Sequence, residues 1–216
     1  MKILLVDDHA VVRQGYASLL RALLPEVQVR EACDGEQALQ MVQEEIPNLV
    51  IMDIGLPGIS GLETTRRLRQ RLPQLRVLFF SMHDELPLVR QALEAGALGY
   101  LTKTSSPEVL VEAVKRTLAG HAYIEQGLAT HLACNPLGEG SSDPRLRGMT
   151  QREFEIFVML AKGMPSRQIA ERLCISGKTV SNYLTLLKSK LQVSSQAELV
   201  HLAIDTGVIR LGLESA

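Results

Sequence analysis

A chain of 216 residues, 46% apolar and 22% charged, has the makeup of a globular protein long enough for two modest domains. Its net charge of −1 becomes informative only by region: residues 1–125 hold 13 Lys+Arg against 16 Asp+Glu, and residues 126–216 hold 10 against 8. Cys33, Cys134 and Cys174 stand far apart with no CxxC or Cys/His spacing, which excludes a disulfide framework and a zinc site and leaves reduced, partly buried thiols as the expectation.

In chain order, "MKILLVDDH" opens with four apolar residues stopped by two aspartates, too short for a signal-peptide core. No later run reaches the roughly 20 apolar residues of a membrane helix, so a soluble, cytoplasmic protein is expected. "KILLVD" (2–7) is a continuous apolar run ending in acid, as in a strand buried on both faces. "VVRQGYASLLRALL" repeats apolar residues at helical spacing, "VQVREAC" (27–33) alternates, and "GEQALQMVQEE" is a short amphipathic helix. "NLVIMD" (48–53) is a second buried strand ending in acid, followed by the basic-faced helix "GLETTRRLRQRL". "RVLFFS" (76–81) is a strand ending in a hydroxyl, "PLVRQALEAG" a helix stopping at Gly96, and "LGYLTK" (98–103) a last short strand. "SPEVLVEAVKRTLAG" closes the series as a helix with Pro at its start and Gly at its end. Five strands alternating with five helices predict an α/β, doubly wound, five-stranded parallel sheet over residues 1–121.

Residues 122–147 lose this rhythm, and Asn135 to Asp143, rich in Gly, Ser and Pro, read as a linker. Residues 148–212 carry helix signals only. Thr150 with Glu153 is a capping-box pattern, and helices open after Pro165-Ser166, Ser176 and Ser195. A small all-α domain of four helices is expected.

Functional groups of an open parallel sheet gather at the carboxyl ends of its strands. Here those ends deliver Asp7 and Asp8, Asp53, Ser81 and Lys103. Three carboxylates on one edge repel unless a cation neutralises them. Hard oxygens with few companions suit Mg²⁺, which keeps several waters and shares its shell with a phosphoryl group. An aspartate beside a metal can attack phosphorus and form an acyl phosphate, with a hydroxyl and a lysine opposite to hold the phosphoryl oxygens. Taken singly, each acid is a polar strand end. As an ordered set they predict a reversible aspartyl-phosphate site.

Residues 1–120 resemble a two-component receiver domain through "LLVDDH", "VIMDIGLPGISGLE", "VLFFSMHDE" and "GALGYLTK". The resemblance implies a flavodoxin-like fold with Asp53 as phosphoacceptor. It implies Mg²⁺ bound by Asp8, Asp53 and the Gly55 carbonyl, with Asp7 acting mainly through water, and Ser81 and Lys103 on the phosphoryl group. Tyr100 matches the family's aromatic switch, turning inward as Ser81 moves toward the phosphoryl oxygen. Gly55 and His83 flank the water path and influence how long the phosphate survives.

Residues 149–209 resemble the LuxR/FixJ-type helix-turn-helix domain through "MTQREFEIFVMLAKG", "IAERLCISGKTV" and "KSKLQVSSQAELVHLAIDTG". Receiver followed by this output domain is the order of transcriptional response regulators, whose only catalysis is their own phosphorylation and dephosphorylation. The resemblance implies a sensor histidine kinase as phosphoryl donor and double-stranded DNA with an inverted repeat as target. It also implies a homodimer formed through the receiver and the last helix, 195–207, with RNA polymerase a further candidate partner. That helix carries Leu199, Leu202 and Ala203 on one apolar side.

Residues 176–191 support the DNA reading independently. Val180, Leu184, Leu187 and Leu191 form one inward stripe, and Lys178, Ser181, Asn182, Thr185 and Ser189 fall opposite. Asn182 can pair bidentately with adenine, while Ser181 and Thr185 can read several bases. Lys178, Lys188 and Lys190 suit phosphates, and the helix start at Gly177–Thr179 offers N–H groups to a phosphate oxygen. Ser181 and Tyr183 stand where the family most often has lysine and histidine, and Tyr183 fits both the base-facing edge and the rim of the core. Two rivals are weaker. A phosphate hydrolase wants a carboxylate at position 55, which is Gly, and a protein-binding output sits poorly with six basic residues against one acid over 162–190.

Overall fold

The apolar runs that end in an acid or a hydroxyl all become strands. β1 (Lys2–Val6), β2 (Gln28–Ala32), β3 (Leu49–Met52), β4 (Val77–Ser81) and β5 (Gly99–Thr102) alternate with α1 (Ala10–Leu23), α2 (Gly35–Glu44), α3 (Gly61–Arg71), α4 (Leu86–Glu94) and α5 (Pro107–Leu118). The computed structural model describes residues 1–134, 144–147, 149–173, 175–206 and 208–209. They form two units, Met1–Asp84 with Leu88–Ala133, and Glu85–Pro87 with Cys134–Ala216. The stretch from Asn135 to Asp143, read as a linker, and the chain beyond Ile209 lie outside the described residues.

The sheet of the first unit is parallel throughout, in the order β2-β1-β3-β4-β5-β6. The doubly wound expectation therefore holds with one correction: there are six strands, not five. β6 (Tyr123–Ile124) has two residues, too few to show any period. Two glycines bring it back to the sheet. Gly120, at φ +87°, lets the chain turn after α5, and a Cβ on Gly99 would stand 2.5 Å from the Tyr123 carbonyl oxygen. α6 (Gln126–Cys134) follows, so the first unit continues to Ala133, past residue 121.

β3, β4 and β5 are buried at every residue, whereas β2, at the sheet edge, alternates. Ile3, Leu5, Ile51, Leu78, Phe80 and Leu101 pack with Leu20 of α1 and with Leu110 and Val114 of α5. Each such side chain contributes on the order of 1.5–3 kcal/mol by leaving water. Strand order reverses between β1 and β3, which opens a crevice at their carboxyl ends.

The thiols differ from expectation. Cys33 and Cys134 are free and exposed, because one follows the last residue of the edge strand and the other closes α6 on its solvent side. Cys174 lies outside the described residues.

The second unit is helical among the described residues: α7 (Pro144–Arg147), α8 (Gln151–Ala161), α9 (Ser166–Arg172), α10 (Gly177–Leu191) and α11 (Gln196–Asp205). The last four are the expected helices, and α7 is one added turn. The capping box of α8 is fully formed by Thr150 and Glu153. Ser176 and Ser195 cap α10 and α11, accepting from the N–H groups of Thr179 and Glu198. Phe154 and Phe157 meet edge to face at 6.0 Å between centroids, inside a core shared with Ile169, Val180, Leu187 and Leu191. Leu199, Leu202 and Ala203 also belong to this interior, at 0%, 6% and 0% exposure. The apolar side of α11 is thus used within the domain, against α8 and α10, and is not free to form a dimer contact. Among the described residues no helix is long and apolar enough to cross a membrane.

Candidate functional site

The reversal of strand order brings Asp7, Asp8 and Asp53 to one crevice. Asp7 and Asp53 continue β1 and β3, each with its backbone N–H donated to the neighbouring strand: Asp7 to the Ala32 carbonyl at 3.1 Å, Asp53 to the Val6 carbonyl at 2.9 Å. Both carboxylates are buried, at 1% and 6% exposure. Gly61 lets α3 begin directly over Asp53, since a Cβ there would lie 1.9 Å from the Asp53 carbonyl oxygen.

Lys103, just past β5, reaches into this pair. Its Nζ lies 2.7 Å from Asp7 Oδ2 and 2.5 Å from Asp53 Oδ2. Burial alone would lower the ammonium's pKa, but the charges of Asp53 and Asp7 outweigh it and hold the group above the usual lysine value. That stabilisation is complete below the ordinary lysine pKa and is lost only as pH rises through the raised value, so Lys103 stays charged across the neutral range. Its backbone N–H donates to the Ser81 carbonyl at 2.8 Å, which places Ser81, fully buried, beside it.

Asp8 differs from the other two. Its Oδ1 is buried and accepts no well-aligned hydrogen bond, although His9 Nδ1 lies 2.7 Å away. One ligand atom from each of Asp7, Asp8, His9 and Asp53 falls within a sphere of mutual distances under 4.8 Å. A buried carboxylate oxygen with no well-aligned hydrogen bond, among the hard oxygens of Asp7 and Asp53, fits a small divalent cation. His9 and Arg13, which no sequence signal marks, also belong to this site. The His9 N–H donates to Asp7 Oδ1 at 2.9 Å, and Arg13 Nη1 donates to the Asp7 carbonyl at 2.6 Å.

Gly55 and His83 both border the crevice. The Gly55 N–H donates to Asp53 Oδ1 at 3.3 Å, and the His83 N–H to Ser81 Oγ at 3.4 Å. Tyr100 is turned inward, with no exposed surface, its hydroxyl donating to the His83 carbonyl at 2.7 Å and its ring stacked on Phe79.

In the second unit, α10 buries Val180, Leu187 and Leu191 completely, while Leu184 is half-buried. Lys178, Ser181, Asn182, Thr185 and Ser189 are exposed, and Thr179, Tyr183 and Lys188 are intermediate. The hydroxyls of Ser181 and Thr185 donate back to the Gly177 and Ser181 carbonyls, both at 3.1 Å, so outward they present lone pairs. Lys190, expected at a phosphate, has its Nζ 2.6 Å from Glu153 Oε2, the carboxylate that also closes the cap of α8.

Burial would raise the Glu153 pKa, but the Lys190 ammonium and the Thr150 N–H outweigh it and hold the carboxyl below the usual value. The contribution is present above about pH 4.3 and lost as pH falls through the lowered value. Urea titrations of the full-length protein should therefore show stability falling below that pH. Lys190→Ala should cost about 1–3 kcal/mol at neutral pH, less than for a fully buried pair because Lys190 is partly exposed. The variant should also show a smaller acid loss than wild type. Equal acid curves would dismiss the pair as a stabilising element.

A family model described as "Response regulator receiver domain" matches residues 3–115, and one described as "Bacterial regulatory proteins, luxR family" matches residues 147–203. The "Transcriptional activator protein ExaE" of Pseudomonas putida is 69% identical over 212 residues, covering 98% of this chain and 99% of its own length. The "Response regulator UvrY" of Escherichia coli (strain K12) is 34% identical over 208 residues, covering 96% of this chain and 95% of its own. Among solved structures, the response regulator ChrA of a heme-sensing two-component system is similar, with 32% identity and a TM-score of 0.52 over 96% of this chain and 98% of that one.

Proposed function

The chain belongs to the response regulators that join a receiver domain to a LuxR-type output domain, phosphorylation-controlled transcription regulators that bind DNA, and on that premise we propose that Asp53 is the phosphoacceptor and α10 the element that reads DNA. The observation that carries the first part is the Lys103 ammonium set between two buried carboxylates at 2.7 and 2.5 Å. It holds one oxygen of Asp53 in place and supplies a cation for the phosphoryl oxygens.

An Asp53 carboxylate oxygen attacks the phosphorus of a kinase phosphohistidine. The O–P bond forms as the P–N bond breaks, and the imidazole nitrogen leaves with the electron pair. Lys103 Nζ and Ser81 Oγ contact the transferred group. Asp8, Asp53 and the Gly55 carbonyl would hold Mg²⁺, with Asp7 acting through water, and the ion when bound shields the negative charge of carboxylates and phosphoryl group. Gly55 and His83 border the path of the hydrolytic water and set the lifetime of the acyl phosphate. Tyr100 serves as the switch residue.

α10 lies in the major groove, with Ser181, Asn182 and Thr185 toward the bases and Tyr183 at the edge of that face. Lys178, Lys188 and the N–H groups around Thr179 take phosphates. Lys190 contributes by holding α10 to α8. Dimers form through the receiver and the outer side of α11, where Ala197 and His201 are exposed and Val200 and Ile204 half-exposed, and read an inverted repeat. Likeness to a transcriptional activator at 69% identity supports activation; RNA polymerase is then the partner served, and the cytoplasm the place.

The experiment pairs two measurements on the full-length protein. Acetyl phosphate with Mg²⁺ should give a hydroxylamine-labile phosphate, and the labelled protein should bind DNA enriched from a random pool more tightly than the unlabelled protein. Equal affinity of the two forms sinks the switch, and absence of label sinks the acceptor.

A further inference from the structure

Glu125 stands where β6 ends and α6 begins, and its two oxygen-bearing groups do different jobs. Its carbonyl accepts the Ala129 N–H at 2.8 Å, in the first turn of α6, while its own N–H donates to the Tyr100 carbonyl at 3.1 Å, the last rung between β5 and β6. In a parallel ladder the next rung runs from the Thr102 N–H to the Glu125 carbonyl. That carbonyl is already engaged by the helix, and Thr102, at 6% exposure, is too buried to turn to water. The Glu125 carboxylate takes the rung instead: its Oε2 accepts the Thr102 N–H at 3.0 Å and the Thr102 hydroxyl at 2.7 Å. The same hydroxyl lies 2.9 Å from Thr104 Oγ1 and 3.2 Å from Ser105 Oγ. One carboxylate thus anchors a network on both sides of Lys103.

We infer that Glu125 is a positioning residue for the acceptor site: its carboxylate replaces the missing rung of the sheet and so holds the end of β5 from which Lys103 reaches Asp53. This rests on Asp53 being the acceptor. Charge-assisted bonds from one oxygen to both a backbone and a side-chain donor constrain the strand end more tightly than a neutral rung does. Lys103 must place its Nζ within hydrogen-bond distance of a moving target, and small displacements of such groups slow transfer strongly. The link also runs outward, since Glu125 is the first residue of the turn into α6, the last element of the unit.

The test uses full-length protein, Mg²⁺ and acetyl phosphate. In the measured step an Asp53 oxygen bonds phosphorus, the donor's P–O bond breaks and acetate leaves. Glu125→Ala should label about tenfold more slowly than wild type. Glu125→Gln, whose amide oxygen still accepts from Thr102, should stay within about twofold. Thr102→Val keeps the backbone rung and loses the hydroxyl, so it should slow labelling about threefold, and it carries the test if the alanine chain does not fold. A purely structural Glu125 would lower the unfolding temperature of the alanine chain and leave the labelling rates of both variants untouched. That result overturns the inference, as does equal slowing by Gln and Ala. Wild type that takes no label, or takes it equally well after Asp53→Asn, is a different failure, that of the acceptor assignment.

Discussion

Asp53→Asn abolishes the hydroxylamine-labile phosphate formed from acetyl phosphate, and the DNA affinity of the variant no longer responds to the donor. The amide lacks the ionised oxygen that attacks phosphorus, and no neighbouring group replaces it: Asp7 is engaged by Lys103, by the His9 N–H and, through its backbone, by Arg13. The loss is expected to exceed about a hundredfold, the scale of removing a nucleophile rather than a positioning contact. The same substitution should not destabilise the fold. In the wild type the Asp7, Asp8 and Asp53 carboxylates lie within 4.8 Å of one another and Lys103 bridges only two of them, so removing a negative charge relieves repulsion, while the amide oxygen still accepts from Lys103 Nζ. Thermal unfolding without Mg²⁺ should therefore occur at the same or a higher temperature in the variant, and the gain from added Mg²⁺ should shrink. A variant that labels normally rejects Asp53 as the acceptor. One that unfolds well below wild type rejects the charge account of the crevice.

The second large effect concerns α10. Asn182 is exposed and makes no hydrogen bond among the described residues, so its amide is available to a base edge. A bidentate amide–adenine pair is worth about 1–3 kcal/mol of discrimination, so Asn182→Ala should weaken binding to a selected duplex roughly 5- to 150-fold while leaving random DNA nearly unaffected. Lys178→Ala should weaken both alike and lower the log–log salt slope by about one unit. Lys190→Ala should leave that slope unchanged, because its ammonium is paired with Glu153. Salt titrations of the three variants against wild type separate base reading, phosphate contact and internal support. Equal losses on selected and random DNA for Asn182→Ala would remove it from base recognition.

The alternating framework of the receiver was readable because its strands are buried on both faces and announce themselves as unbroken apolar runs, as with "NLVIMD" and "RVLFFS". The acids, hydroxyl and lysine were readable because strand ends share one edge whatever the loops do. β6 was not. Two residues carry no periodicity, and the feature that admits them, the missing Cβ of Gly99, acts on a strand more than twenty residues away. Lys190 with Glu153, and Thr102 with Glu125, escaped for the same reason, since each pair is joined by folding across a long separation. The apolar side of α11 was visible as a stripe, but a stripe does not say whether its partner is the same chain or a second copy. Packing against α8 and α10 decides that.

The back-bonded hydroxyls of Ser181 and Thr185 carry a consequence for how such a domain changes its targets. Neither side chain supports the core, neither caps the helix, and each is held by the turn beneath it. The anchors of α10 lie elsewhere, in Ser176 at its start and Val180, Leu187 and Leu191 along its inner side. Exchanges at 181, 182 and 185 therefore meet little resistance from folding, and one promoter vocabulary can drift into another through stable intermediates. A library randomised at these three positions should stay folded in most of its members while its preferred operators diverge.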